Sequence, residues 1–278
     1  NTIMNTTITV GDHYGIQVSG SHNRIENNTI QSGGSEAAYI GPNANNNTII
    51  GTYMESTYSS GYGISIFNSD DNKIVDSIIS GVIGDVSVNA NIEDSLRNTF
   101  LNCTYEYEFV SSFYPNELIR KWYYRAYVND SLGNSVPEAN LTAFNTSGDY
   151  QFNLTTGTNG YTEIAEITDY INREGTKQYF SNYTINVEND TYFLSHEYNA
   201  SLGNNLMDIF TFDVEPPFIN LTSPTPQSGD IVENWIYINY TVNDSSSSYS
   251  FIDLNSTLVL WLRMDDMNDT EDPVDLSY

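Results

Sequence analysis

Through the first hundred residues, apolar and polar positions alternate in bursts of three or four, with Gly, Asn, Ser and Asp between the bursts. One series reads Asn1-Thr2-Ile3, Asn23-Arg24-Ile25, Asn47-Thr48-Ile49, Asn72-Lys73-Ile74 and Asn98-Thr99-Phe100, at intervals of 22, 24, 25 and 26 residues. A second lies between them: Gly15-Ile16-Gln17-Val18, Ala38-Tyr39-Ile40, Gly63-Ile64-Ser65-Ile66 and Asp85-Val86-Ser87-Val88. Alternation in pieces this short, broken by turn residues, predicts strands and excludes helical repeats. One such repeat cannot bury its apolar side alone. Stacked repeats form a continuous Ile/Val core with neighbouring strands paired in parallel. The Asn that heads each triplet suits a turn, where it tolerates left-handed backbone and can stack in ladders.

The series fades after Asn102-Cys103-Thr104-Tyr105, and Tyr105, Tyr107, Phe109, Phe113 and Tyr114 are expected to cap the open end of the solenoid. From Leu118 the pattern becomes that of longer antiparallel strands. Trp122–Val128 reads as a first strand, Asn129-Asp130-Ser131-Leu132-Gly133 as a turn, and Leu141–Phe144 as the next strand. Thr158-Asn159-Gly160-Tyr161 supplies a hairpin turn, and further strands follow between Tyr179 and Val187 and from Leu206 to Phe212. Pro216-Pro217 marks a stiff joint, after which Ile236–Val242 alternates as a strand.

Composition narrows the class. The 278 residues allow two or three domains. Asp and Glu number 36 against 9 Lys and Arg, a formal net charge of -27 that disfavours nucleic acid and anionic membranes as partners. The imbalance comes from scarce basic residues, because charged side chains make up only 16% of the chain. Aromatic residues reach 13%, which places the chain among folded proteins and not among acidic tails. Cys103 is alone, so no disulfide framework or thiolate metal site exists, and a buried apolar role is expected for it. No apolar run approaches the ~18–20 residues of a membrane span. The chain opens in mid-repeat without a signal peptide, so a segment of a longer protein is expected.

The Asn-x-Ile and Gly-Ile-x-Val repeats of residues 1 to about 105 resemble the right-handed parallel β-helix of the periplasmic copper-processing (NosD-like) and pectate-lyase-like superfamily. That resemblance implies a fold shared by enzymes, adhesins and plain spacers. Residues 119–213 resemble carboxypeptidase-regulatory-like and collagen-adhesin B-type sandwich domains, commonly stalk modules. This implies a candidate Lys–Asn crosslink among Lys121, Glu163 or Glu166, and Asn204 or Asn205. Asp213–Pro224 with Ile236–Val242 resembles tandem immunoglobulin-like domains of exoproteins. Leu258–Asp266 resembles the opening strand of a laminin-G-like module. The expected fold class is therefore all-β: a right-handed parallel β-helix (1–117, with its aromatic cap), a β-sandwich (118–213), an immunoglobulin-like sandwich (214–257) and the start of a truncated laminin-G-like module (258–278).

Candidate chemistry is thin. Asp70-Asp71 is an adjacent carboxylate pair of the repeat region, and its setting, Asn68-Ser69-Asp70-Asp71-Asn72, is that of a turn. Arg24, Lys73, His13 and His22 lack partners at catalytic or metal-ligand spacing. Asp265, Asp266, Asp269 and Asp272, with Glu271 and Asp275, are dense enough to hold structural calcium, although the Gly and terminal Glu of an EF-hand loop are missing. No catalytic residue and no other cofactor is assigned.

Sixteen Asn-x-Ser/Thr triplets fall at Asn5, Asn27, Asn46, Asn102, Asn129, Asn140, Asn145, Asn153, Asn182, Asn189, Asn199, Asn220, Asn239, Asn243, Asn255 and Asn268. With 35 Asn, 30 Ser and 26 Thr, chance gives about seven. From Asn102 onward thirteen of 21 Asn lie in triplets, so N-glycosylation is expected there. A glycosylated, disulfide-free surface protein of archaeal type is the expectation: extracellular, not an enzyme, self-associating into a filament, stalk or S-layer-like coat. The alternatives are a carbohydrate-binding adhesin and, behind it, a polysaccharide-active enzyme.

Overall fold

Each repeat lays down three short strands, one on each side of a three-sided coil. The computed structural model describes residues 1–190, 192–202, 205–225, 237–244, 250–253 and 259–262. The chain divides into two compact units, Asn1–Val128 with Ser135–Phe210, and Asn129–Asn134 with the described residues from Thr211 onward. Apart from a 3-10 turn at Ala200–Leu202, every element of the described residues is a strand.

The first rung holds β1 (Thr2–Met4), β2 (Thr7–Val10) and β3 (Ile16–Val18), and the second holds β4 (Arg24–Glu26), β5 (Thr29–Ser32) and β6 (Ala38–Ile40). The third holds β7 (Thr48–Ile50), β8 (Tyr53–Ser56) and β9 (Tyr62–Phe67), and the fourth β10 (Lys73–Val75), β11 (Ile78–Ser80) and β12 (Gly84–Asn89). β13 (Ser95–Leu101) and β14 (Glu108–Val110) begin a fifth. Three parallel sheets result: β1-β4-β7-β10-β13, β2-β5-β8-β11 and β3-β6-β9-β12-β14. The register stacks like on like. Ile3, Ile25, Ile49, Ile74 and Phe100 form one inward column. Ile8, Ile30, Met54 and Ile79 form a second, and Ile16, Ala38, Ile64 and Val86 a third. From the second rung onward these side chains are buried. Each large one contributes about 1.5–3 kcal/mol relative to exposure. This is the right-handed β-helix, about five turns long.

Two columns of left-handed residues turn the corners. One runs through His22, Asn46, Asp71 and Arg97, and the other through Asn5, Asn27, Gly51, Asp76 and Asn102. Asn, Asp and Gly are the residues that accept this conformation at least cost. The left-handed residue is thus the one before each ladder Asn, not the ladder Asn itself as its turn chemistry predicts. Asn23, Asn47, Asn72 and Asn98 instead bind rung to rung. Oδ1 of Asn47 accepts both the backbone N–H and the side-chain amide of Asn23, at 2.8 and 2.9 Å. Asn72 does the same for Asn47 at 3.0 and 3.1 Å, and Asn98 for Asn72 at 3.1 Å in both bonds. Buried polar groups left unpaired are costly, and this ladder pairs them.

Beyond the solenoid, β15 (Asn116–Asp130) is the longest strand. Its first half lies parallel on β13, with Thr99 opposite Ile119 and Phe100 opposite Arg120. On its other side it runs antiparallel to β18 (Ala165–Arg173). The residue where the solenoid and the following sheets are expected to separate, near 117–118, therefore falls inside one continuous strand. Next come β16 (Asn140–Phe144), β17 (Tyr150–Thr155), β19 (Thr176–Tyr179), β20 (Tyr183–Asn189), β21 (Tyr192–Tyr198) and β22 (Leu206–Phe212). β15, β18, β19 and β22 continue the first sheet of the solenoid, and β17-β16-β20-β21 forms a separate antiparallel sheet. The two sheets meet where Tyr124 of β15 packs on Phe152 and Tyr198. Tyr124, Ala126, Val128, Leu141, Ala143, Ile167, Ile185 and Val187 are buried there.

In the second unit, β23 (Phe218–Thr222) pairs antiparallel with β24 (Asn239–Asn243), and β25 (Ser250–Asp253) with β26 (Val259–Leu262). The expected turn at Asn129–Gly133 forms around Asp130, whose Oδ1 accepts the N–H groups of Leu132 at 3.0 Å and Asn134 at 2.8 Å. Among the described residues no helix is long and apolar enough to cross a membrane.

Candidate functional site

Of the residues weighed for catalysis in the repeats, Asp70 and Asp71 hold one rung to the next. Asp70 Oδ1 accepts the Leu96 N–H at 2.7 Å, one rung on. Asp71 is left-handed and takes Nε and Nη2 of Arg97 at 2.6 and 2.8 Å, which holds its carboxyl below the usual range. Arg24 pairs with Glu26 at 2.8 Å, and Lys73 pairs with Glu166 of β18. His22 sits in the left-handed corner column, and His13 is exposed. Asp85 receives three backbone N–H groups, from Gly81, Glu106 and Tyr107, at 3.0, 2.7 and 3.0 Å. Asp70 Oδ2 and Asp71 Oδ2 both lie against Arg97 Nη2, at 3.5 and 2.8 Å, so the two carboxylates of the adjacent pair share one arginine.

The sequon asparagines fall into distinct settings. Asn5, Asn27 and Asn102 belong to one left-handed column and Asn46 to the other, so turn geometry accounts for Asn at all four. Starting instead from Asn129, twelve of 19 Asn lie in triplets, and the excess survives without Asn102. Asn153, Asn182, Asn199, Asn220, Asn239 and Asn243 are exposed. Asn129, Asn140 and Asn189 are half-buried. Asn145 is buried: its Oδ1 caps the N–H groups of Ser147 and Asp149, each at 2.9 Å, and its Nδ2 faces Asp149. Asn255 and Asn268 lie outside the described residues, as do the calcium candidates Asp265, Asp266, Asp269 and Asp272. Among the described residues no three His, Cys, Asp or Glu side chains gather at metal-binding distance.

Of the aromatic residues expected to cap the solenoid, only Tyr105 is buried, edge-on to Phe100 at 5.6 Å. Tyr107, Phe109, Phe113 and Tyr114 are exposed, because β15 and β18 cover the last rung in their place. Lys121 meets Glu166 at 3.1 Å, in line with the crosslink order. Asn205, however, accepts the Tyr123 N–H and donates to Asn102, and Asn204 lies outside the described residues.

Where the core ends, two columns change character. The inward column Ile25-Ile49-Ile74-Phe100 continues at Arg120, and the column Ile64-Val86 continues at Glu108. A layer of charge thus closes the apolar stack. The Glu108 side chain is 4% exposed and accepts four donors. These are Tyr105 and Tyr170 hydroxyls at 2.9 and 2.7 Å, the Asn172 amide at 2.9 Å and Lys177 Nζ at 2.9 Å. Burial raises its pKa, but the bonds from Tyr170, Asn172 and Lys177 outweigh that and hold it below the usual glutamate range. Burial pushes Tyr105 and Tyr170 up, so both keep their protons. The Arg120 guanidinium lies 4.2 Å over the Tyr105 ring and 4.9 Å over Trp122. Trp122 in turn donates to Asp169, which Ser201 also binds. A carboxylate with all its acceptor sites filled is a poor proton-transfer group, and this layer is built to be rigid. Beside it, burial pushes the Cys103 thiol up to about 12, so it is inert as a nucleophile.

Residue-by-residue reading missed Glu108 and Arg120. The signal was present: setting Tyr107-Glu108-Phe109-Val110 beneath Asp85-Val86-Ser87-Val88 puts Glu under an inward Val.

Residues 1–114 match the family model described as "Right handed beta helix region". The search of curated proteins and the search of solved structures each returned no match.

Proposed function

We propose that the chain is a structural segment of a glycosylated extracellular surface protein, with the β-helix as a rigid spacer and residues 118–213 as the first of several β-sandwich modules. The observation that carries this reading is the continuity of β15, a single fifteen-residue strand that lies on the last solenoid strand from Asn116 to Lys121 and pairs with β18 from Glu117 to Tyr124. Force on one part would pass to the other through backbone hydrogen bonds, with no flexible linker between them. Two further features support the reading: the repeat carboxylates are occupied in structural bonds, and sequons concentrate after Asn129. Self-association into a filament, stalk or S-layer-like coat would use sheet margins such as β17 and β21. The immunoglobulin-like and laminin-G-like resemblances after residue 213 fit a modular surface chain, as does an archaeal origin.

A second reading, a carbohydrate-binding adhesin, is favoured by the exposed Tyr107, Phe109, Phe113 and Tyr114, since aromatic faces stack on sugars. Electron microscopy of the native cell envelope, with the chain immunogold-labelled, separates the two. The structural reading expects label along a regular lattice or filament; scattered single copies would refute it.

A further inference from the structure

Arg120 is a cation without an anion. In a chain with 36 acidic and 9 basic residues, six basic side chains form ion pairs among the described residues, and Arg120 forms none. Its acidic neighbour in the layer, Glu108, is joined to it through two tyrosines: Arg120 Nη1 donates at 3.5 Å to the Tyr170 hydroxyl, Tyr105 lies under the guanidinium, and both hydroxyls donate to Glu108. Glu108 already carries the charge of Lys177, so its single negative charge does not balance both cations. Arg120 Nε is buried and has no hydrogen-bond partner. Burying a guanidinium with part of its fork unpaired is unfavourable unless an anion completes it.

The space for such an anion is present. A recess of about 290 Å³ is lined by Asn102, Cys103, Thr104, Tyr105, Arg120, Trp122 and Asn205. Tyr105 and Trp122 stack on the guanidinium, Nη1 is turned to Tyr170 and Nε is closed off, so what is left for a ligand is the in-plane N–H edge at the remaining terminal nitrogen, which suits one charge-assisted bond to a carboxylate. The rim is polar in a different way. Thr104 brings a hydroxyl, and Asn102 and Asn205, bonded to each other at 2.8 Å, each have amide capacity left over. These groups match hydroxyls, not a second charge.

We propose that this recess is a binding subsite for a small hydroxylated carboxylate, with the carboxylate on Arg120 and neighbouring hydroxyls on Thr104, Asn102 and Asn205. The net charge of -27 opposes anions at long range, but at physiological salt the Debye length is about 8 Å and the adjacent guanidinium decides. The site does not depend on the structural role proposed above, and either can fail alone.

Isothermal titration of the full chain with gluconate, sorbitol and acetate tests it. Gluconate and sorbitol share a hydroxylated carbon chain and differ in the carboxylate, while acetate keeps the charge alone. Saturable gluconate binding is expected, with acetate weaker and sorbitol silent. Arg120→Gln should abolish gluconate binding, and Arg125→Gln, at the other described arginine without an ion pair, should leave it intact. Should Arg120→Gln fail to fold, Thr104→Val and Asn205→Ala decide, because both positions are exposed and each should weaken gluconate about tenfold, or ~1.4 kcal/mol. No saturable gluconate binding, sorbitol binding equal to gluconate, or undiminished affinity in the folded variants would overturn the proposal.

Discussion

Asn72 shows how much one side chain holds in this fold. It is fully buried, and its amide oxygen serves two groups of Asn47 while its amide nitrogen binds Asn98 and Ser69. Asn72→Ala leaves buried donors of Asn47 without an acceptor, at about 1–3 kcal/mol for each unpaired group. Asn23→Ala, at the half-exposed end where Oδ1 accepts from the Asn1 side chain, should cost less. Urea melts of the two variants check the order. Glu108 makes the corresponding case for pH. Its native pKa lies below its ordinary value of 4.5, so its contribution is fully present above that value and is lost as pH falls through the lowered native one. Unfolding free energy should therefore drop on acidification in that window, and Glu108→Gln should flatten the slope while lowering stability at neutral pH. A Glu108→Gln curve parallel to the parent would contradict this.

At the scale of the element, the repeat strands were legible because each fact about them is local. A leading Asn, an outward Thr, Arg or Lys and an inward Ile recur at nearly fixed spacing, and the register follows from stacking them. The left-handed residue was displaced by one position from the expected Asn, since Asn serves either the corner or the ladder, and spacing alone does not say which. β15 was less legible. Its first half reads as an indifferent Asn-Glu-Leu-Ile-Arg-Lys stretch, and only pairing with β13 makes it a rung. Leu118 is fully buried beneath that junction. Leu118→Ala should cost about 2–5 kcal/mol, measured by thermal or urea unfolding, with the loss felt in the solenoid and in the β15–β18 sheet alike. The charged layer was illegible residue by residue because Glu108 and Arg120 lie on strands of different sheets and acquire their roles from register, Glu108 with Val86 and Arg120 with Phe100.

For the whole molecule, a charge of -27 on 278 residues means that copies repel at low ionic strength. Any self-association should strengthen as salt screens that repulsion, and sedimentation velocity across a salt series checks it; association that weakens with salt would point instead to attraction between opposite charges. Solenoid and following sheets form one continuous body through β15. Hydrogen exchange read by mass spectrometry across the intact chain tests it in one measurement. Peptides covering β10, β13, β15 and β18 should exchange together and slowly, as one cooperative unit. Fast exchange in β15 and β18 beside protected β10 and β13 would contradict that continuity.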